Sequence, residues 1–170
     1  MTNTGATSSS YSTAHRTKLF QEMEIQFDSK NQDYFAKLLN HSDSIIRTRA
    51  ICILADIAGE NAVSPISKVL RDDENALVRH EAAFSLGQLG FSGGINALTQ
   101  AVKRDPSLFV RHEAAIALGV IGSEDARDAL GYALSDKSEE VRESAVTALA
   151  NLDYVKAMKH NNRFTKMTGG

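Results

Sequence analysis

Several residue types are scarce in this sequence, and each scarcity excludes a class of protein. Cys52 is the single cysteine, so no disulfide can form within the chain, and we expect a reducing, cytoplasmic location. We find no run of about 18 apolar residues of the kind that a membrane-spanning helix needs, and therefore predict no membrane partner. The first residues are polar and no apolar stretch follows them, so we expect no secretory signal.

Tryptophan, proline and an excess of one charge are also scarce. The 19 Lys and Arg residues nearly balance the 21 Asp and Glu residues, and the formal net charge is −2. This balance predicts no nucleic-acid partner. Tryptophan is absent and only two prolines occur in 170 residues, while alanine and leucine supply most of the apolar content. Such a composition favours one domain of closely packed helices.

Four segments of the sequence repeat one another at a nearly constant interval. In each, an arginine follows an isoleucine or valine, and the arginines lie 32, 32 and 31 residues apart: Arg47, Arg79, Arg111 and Arg142. Self-similarity at this period is typical of solenoid proteins, in which each repeat is one small unit of secondary structure.

Each copy of the repeat has the pattern of two helices. In the third copy, Ile95, Leu98 and Val102 form one helical face. Asp105-Pro106 then breaks the chain, and we expect Asp105 to cap the second helix, which Gly122 should end. The prediction is an all-α solenoid of about four helix pairs in a curved right-handed array, with the second helices on its concave side.

The sequence divides into three predicted regions. Residues 1–14 are rich in Ser and Thr and are predicted to form a flexible tail. The repeat domain is predicted over residues 15–152, and its first segment, 15–28, is interpreted as a helix that caps the first repeat. Residues 153–170 are predicted to form a C-terminal helix or tail.

Two adjacent copies carry a His-Glu pair at the same place, His80-Glu81 and His112-Glu113. Neighbouring second helices should lie about 8–10 Å apart, so both histidines can reach one ion at about 2.1 Å each. One glutamate could complete a set of two histidines and one carboxylate, while the other faces an incoming ligand. Such a donor set with open positions suits iron used for oxygen chemistry.

A structural interpretation of the same pairs remains open. The position of the histidines is polar in the other two copies as well, where Thr48 and Glu143 occupy it. A glutamate near a helix N-terminus is also favoured by the helix dipole, so the pairs could be solvated side chains of a duplicated repeat.

Other polar residues are predicted to have structural roles, and no catalytic residue or organic cofactor is predicted. An aspartate precedes each repeat arginine by a few residues, which favours a ladder of Asp–Arg contacts between repeats over phosphate binding. Cys52 lies in the apolar stretch 51–54 and is expected to be buried. The glycine-rich stretches 90–94 and 119–122 are expected to form turns between repeats, and neither is a phosphate loop because neither follows a strand.

The two segments 78–89 and 110–122, which carry the His-Glu pairs, resemble the paired repeats of deoxyhypusine hydroxylase, a family of HEAT-repeat di-iron monooxygenases. The similarity runs from about residue 43 to 152. It implies that His80 and His112 are iron ligands, with Glu113 or Glu81 as the carboxylate ligand and the other glutamate facing substrate. The family has two such halves in one chain and this sequence has one. The resemblance therefore implies two copies facing each other, a single weakly held iron, or lost chemistry.

Repeats of this general type also resemble those of phycobilin lyase subunits, and two hypotheses follow. In the first, the protein binds iron, works as a homodimer or as an iron-handling partner, and holds a protein side chain on its concave face. Whether it is then an enzyme of the hydroxylase type is left open. In the second, it is a non-catalytic scaffold whose concave face assists the assembly or maturation of a partner protein, including chromophore or metal-centre proteins.

Overall fold

The computed structural model describes residues 13–160, which form an all-α solenoid of four helix pairs. A capping helix, α1 (Thr13–Asp28), precedes the pairs. The pairs are α2 (Gln32–Leu38) with α3 (Ser44–Ala58), α4 (Val63–Asp72) with α5 (Ala76–Leu89), α6 (Ile95–Arg104) with α7 (Leu108–Ile121), and α8 (Arg127–Ala133) with α9 (Glu139–His160). The predicted fold class is confirmed.

The first and last helices of the solenoid extend into the two terminal regions that the sequence analysis set apart. Helix α1 begins at Thr13, so the rest of the predicted tail, residues 1–12, lies outside the described residues. Helix α9 continues without a break past residue 153 to His160, and residues 161–170 are again outside the described residues. The start of the predicted C-terminal segment is therefore one continuous helix with the last repeat.

The helices form two layers, with the second helix of each pair in one and the first helix in the other. The second helices α3, α5, α7 and α9 contact one another more extensively than the first helices do. Closer packing in one layer curves the array toward that layer, so the second helices form the concave face.

Three second helices end at a glycine with positive φ, which is Gly59, Gly90 or Gly122, and one cap differs from the prediction. Gly90 and Gly122 have φ values of 71° and 65° and lie directly after α5 and α7, which confirms Gly122 as the end of its helix. Asp105 as the cap of α7 is wrong, because α7 begins at Leu108 after Ser107. Proline at position 106 holds Asp105 in an extended conformation, and its carboxylate accepts from the Ser107 backbone N–H and from Arg79.

Small residues in the second helices allow the repeats to pack closely. Gly119 lies inside α7, so the prediction of a turn residue is wrong at this position. A Cβ atom built on Gly119 would lie 2.7 Å from the Cβ of Ala148 on α9, and one on Gly87 would lie 2.9 Å from that of Ala117. Alanines fill the remaining contact area and are fully buried: Ala82, Ala83, Ala114, Ala115 and Ala145.

The predicted ladder of arginines and aspartates joins successive repeats. On α3, α5 and α7, the repeat arginine donates two hydrogen bonds of 2.7–3.0 Å to the aspartate that precedes the next second helix. Both side chains of each pair are at most 10% exposed. The prediction is confirmed for three pairs, which are Arg47–Asp73, Arg79–Asp105 and Arg111–Asp136.

One part of the described chain, Ser44–Asp72, is long and apolar enough to cross a membrane by length and composition. It consists of α3 and α4, which a 3₁₀ turn starting at Gly59 separates. Many of its large apolar residues are buried in the core of the repeats, among them Ile46, Ile51 and Ile66. Core helices pass this test as readily as membrane helices, and packing within the solenoid accounts for the composition of this segment.

Candidate metal site on the concave face

The two His-Glu pairs occupy equivalent positions near the start of α5 and α7. Each pair begins at the fifth residue of its helix, and the Val-Arg dipeptide before it supplies a buried valine and a ladder arginine. These two anchors fix the rotation of both helices, so the His-Glu pairs share one face. The structure brings His80 and Glu113 together across the two helices, with 3.5 Å between His80 Nε2 and Glu113 Oε2.

Glu113 is the least exposed of the four predicted ligands. Its side chain is 12% exposed, compared with 36% for His80. Burial raises the pKa of the Glu113 carboxyl above its usual value; His80 and His112 oppose this rise, while the negative charge of Glu81 adds to it. The other three predicted ligands therefore all act electrostatically on Glu113, which makes this carboxylate the centre of the group.

Glu81 is turned toward the first repeat and contacts Cys52. The Cys52 thiol donates to Glu81 Oε1 at 3.1 Å, and the side chain of Cys52 is exposed, so the expectation that it is buried is wrong. Its neighbours Ile51 and Leu54 face the core, and Cys52 faces the concave surface. The surrounding protein displaces water from the sulfur and, together with Glu81, raises the pKa of the thiol to about 12. The thiol is therefore protonated at neutral pH.

His112 contacts a residue that the sequence did not indicate as part of the site. Its Nδ1 atom lies 2.7 Å from the hydroxyl of Ser144 and 3.3 Å from the backbone carbonyl of Glu140, both on α9. Ser144 occupies the position of Glu113 in the last repeat. The histidine of one repeat thus meets the residue after the histidine position in the next repeat, as His80 also meets Glu113. This offset, applied to the aligned repeats, would have identified Ser144.

The types of donor fit iron, but their arrangement within one chain is incomplete. Histidine nitrogen and carboxylate oxygen with open positions are suitable iron ligands, and His80 with Glu113 supplies one of each. Within residues 13–160, no group of three or more His, Cys, Asp or Glu side chains is arranged to hold a metal ion. The expected set of two histidines and one carboxylate is therefore not assembled, because His112 turns toward α9 and Glu81 toward α3.

Apolar side chains lie on both sides of the His-Glu pairs. Leu77 and Phe109 stand one turn before the histidines and are 72% and 62% exposed. Phe84 and Ile116 stand one turn after them and are also exposed. Residues three or four positions apart on a helix share one face, so the polar pairs are bordered by an exposed apolar surface on α5 and α7. A surface of this kind is a candidate for contact with another molecule.

Family models of HEAT repeats match the sequence over residues 10–87, 32–118 and 95–160. These overlapping matches include all four helix pairs, and the chain belongs to the HEAT repeat family. Among curated proteins, no sequence matches this chain.

A solved structure with a similar fold is that of human deoxyhypusine hydroxylase in complex with glycerol. The TM-score is 0.70, the sequences are 26% identical, and the similarity covers 88% of this chain. The resemblance to deoxyhypusine hydroxylase predicted from the His-Glu segments is confirmed. The similarity covers 51% of the hydroxylase, so this chain spans about half the length of that enzyme.

Proposed function

We propose that this protein binds iron through His80, His112 and Glu113, with Glu81 facing an incoming ligand, and that two copies face each other to form a di-iron, oxygenase-like site. The observation that carries the proposal is the contact between His80 and the buried carboxylate of Glu113, which joins the two His-Glu helices. The likeness to deoxyhypusine hydroxylase supports the choice of iron.

The donors have distinct parts in the proposed site. His80 and Glu113 would hold the metal from adjacent helices, and a bound cation would offset the cost of keeping the Glu113 carboxylate ionised while buried. His112 would supply a second nitrogen. Glu81 would face an incoming ligand, since its carboxylate lies toward the space between α3 and α5. When bound by such ligands, iron supplies the activation of dioxygen.

Two copies are proposed because, within residues 13–160, one chain brings His80 and Glu113 into contact but assembles no group of three or more potential ligands. A two-fold axis would place identical concave faces opposite each other, which doubles the number of His-Glu pairs at the interface. The apolar residues that border the pairs would exclude water at such an interface, and a protein side chain is the proposed substrate on the concave face.

The first experiment measures iron content and solution mass of protein purified without a metal-binding tag. We expect about one iron per chain and the mass of a dimer. The His80→Ala/His112→Ala double variant should lose the iron and keep its helical circular dichroism. A matched control is Thr48→Ala/Glu143→Ala, which changes the same repeat position in the other two copies and should keep the iron. Unchanged iron content in the histidine double variant would contradict the proposal.

The second candidate function is a non-catalytic interaction scaffold, and the exposure of Leu77 and Phe109 favours it independently of any metal. Assembly or maturation of a partner protein would use these apolar side chains as anchors on the concave face. In the experiment above, a monomer that takes up no iron would support this candidate over the first.

A further inference from the structure

The hydroxyl of Ser144 lies between two other polar atoms, and its single hydrogen decides how all three are bonded. Ser144 Oγ is 2.7 Å from the backbone carbonyl oxygen of Glu140 and 2.7 Å from Nδ1 of His112. If the hydroxyl donated to Nδ1, its oxygen would face the carbonyl oxygen at 2.7 Å with no proton between them. The hydroxyl therefore donates to the Glu140 carbonyl, the bond that helical serines commonly form four residues back.

His112 must then be the donor in its contact with Ser144. With the hydroxyl proton directed at Glu140, the lone pairs of Ser144 Oγ accept from His112 Nδ1–H. The Glu140 carbonyl oxygen, 3.3 Å from the same ring nitrogen, is a second acceptor and requires the same proton position. A neutral imidazole carries one N–H, so Nε2 of His112 keeps its lone pair.

We propose that Ser144 is a positioning residue that fixes the tautomer of His112 and makes Nε2 the atom that binds metal. Metal-binding histidines generally donate their other ring N–H to an outer partner, which orients the ring and selects the free nitrogen. Ser144 is buried on α9, so its hydroxyl is held in place by the helix and by the Glu140 carbonyl. The identity of the metal rests on the proposed function, whereas the tautomer does not depend on it.

This assignment gives a function to the last repeat, which has no His-Glu pair. At the position where α7 carries Glu113, α9 carries a serine, which cannot supply a carboxylate ligand. The contact between α7 and α9 instead orients the His112 ring through its Nδ1 atom. At the equivalent place His80 meets Glu113, its proposed co-ligand, so the two histidines of the site have different neighbours in the next repeat.

The tautomer is tested by NMR on metal-free protein with ¹⁵N-labelled histidine at pH about 8.5, above the usual histidine pKa of about 6.5. Two-bond ¹H–¹⁵N correlations identify the protonated ring nitrogen. We expect Nδ1–H for His112 in the wild type and in Ser144→Thr, and a gain of the Nε2–H form in Ser144→Ala. Ser67→Ala is the matched control, because Ser67 is equally buried but lies on α4. A wild-type His112 protonated at Nε2 would overturn the assignment.

The consequence for the metal is tested by anaerobic titration of the same four proteins with Fe²⁺. Loss of an outer partner of a metal-binding histidine typically weakens binding about 10- to 100-fold, which is the expected effect of Ser144→Ala. Ser144→Thr and Ser67→Ala should bind as the wild type does. Equal affinity in Ser144→Ala and the wild type would overturn the positioning role. A wild type with the expected tautomer but no affinity for Fe²⁺ would instead contradict the proposed function and leave the tautomer assignment standing.

Discussion

At the scale of single residues, the site is defined by which side chain each ligand candidate contacts. Glu113 is buried beside His80, whereas Glu81 accepts a hydrogen bond from Cys52. Two glutamates at the same repeat position therefore differ in environment, because the helix that precedes each of them differs. A buried carboxylate without a bound cation is costly, and this cost is a measurable property of Glu113.

Glu113→Gln is expected to stabilise the metal-free protein at neutral pH. Burial raises the pKa of this carboxyl in the folded state. The folded protein then holds the proton more tightly than the unfolded chain does, so wild-type stability falls as pH rises through the two pKa values. The stability gain from Gln should consequently be larger at pH about 8 than at pH about 3.5, below the usual glutamate pKa. Urea unfolding at both pH values measures this gain, and an equal or smaller gain at the higher pH would contradict the assignment. The same variant should lose iron.

At the scale of helices, the distance between neighbouring second helices depends on glycines at their contacts. Gly119 and Gly87 each face the backbone of the next second helix so closely that a Cβ atom has no room. Helices that approach at this distance bring His112 within reach of Ser144. The glycines therefore determine the geometry of the site as well as the packing of the core.

Gly119→Ala is expected to destabilise the protein by about 1–3 kcal/mol, because the added methyl group overlaps Ala148 and forces α7 and α9 apart. Gly131→Ala provides the matched control. Gly131 is in the interior of α8, a built Cβ there meets nothing within 4 Å, and alanine should stabilise the helix by up to about 1 kcal/mol. Thermal unfolding of both variants separates close packing from helix propensity. A neutral Gly119→Ala would mean that α7 and α9 can separate at no cost.

At the scale of the whole molecule, the concave face carries the polar pairs and the apolar side chains that border them. Under the proposed dimer, this face becomes the interface between two copies. Phe109 is the test residue, since it is 62% exposed on α7 and contributes little to the fold of one chain.

Phe109→Glu is expected to convert the dimer to a monomer, because two glutamates would be brought together in an apolar interface. Ile25→Glu, on α1, is the control, since Ile25 is 63% exposed and lies outside the pair of helices that carry the site. Light scattering after size exclusion measures both masses. Dimerisation that survives Phe109→Glu would place the interface elsewhere on the molecule.

The fold was predictable from the sequence because a solenoid repeats its core. One arginine per repeat, with glycines after the second helices, located the helix pairs and the ladder. Local competition limited the prediction at Asp105, where an arginine from the preceding repeat and the Ser107 backbone both use the carboxylate. The exposure of Cys52 depends on which face of α3 is buried. The apolar residues on both sides of Cys52 in the sequence did not indicate that face.

The location of the candidate site was predictable from the sequence, whereas the contacts between its side chains were less so. The shared repeat position placed His80 and His112 on one face, but side-chain torsions decide which neighbour each one meets. Contacts between repeats are offset by one residue along the helix, so His80 meets Glu113 and His112 meets Ser144. An offset of this kind depends on how far adjacent helices are shifted along their axes. The spacing of residues in the sequence does not give this shift.

The ladder of arginines and aspartates also determines the order in which parts of the molecule open. The repeat of α5 is joined to the preceding repeat by Arg47–Asp73 and to the following repeat by Arg79–Asp105. The repeat of α7 is joined in the same way by Arg79–Asp105 and Arg111–Asp136. In an array stabilised by contacts between neighbouring repeats, local unfolding starts at the ends. It reaches repeats that are joined to a neighbour on both sides last. Amide hydrogens of α5 and α7 should therefore exchange with solvent more slowly than those of α9. The helices that carry His80 and His112 would stay folded while α9 opens transiently, and the contact of His112 with Ser144 would be lost in that open state.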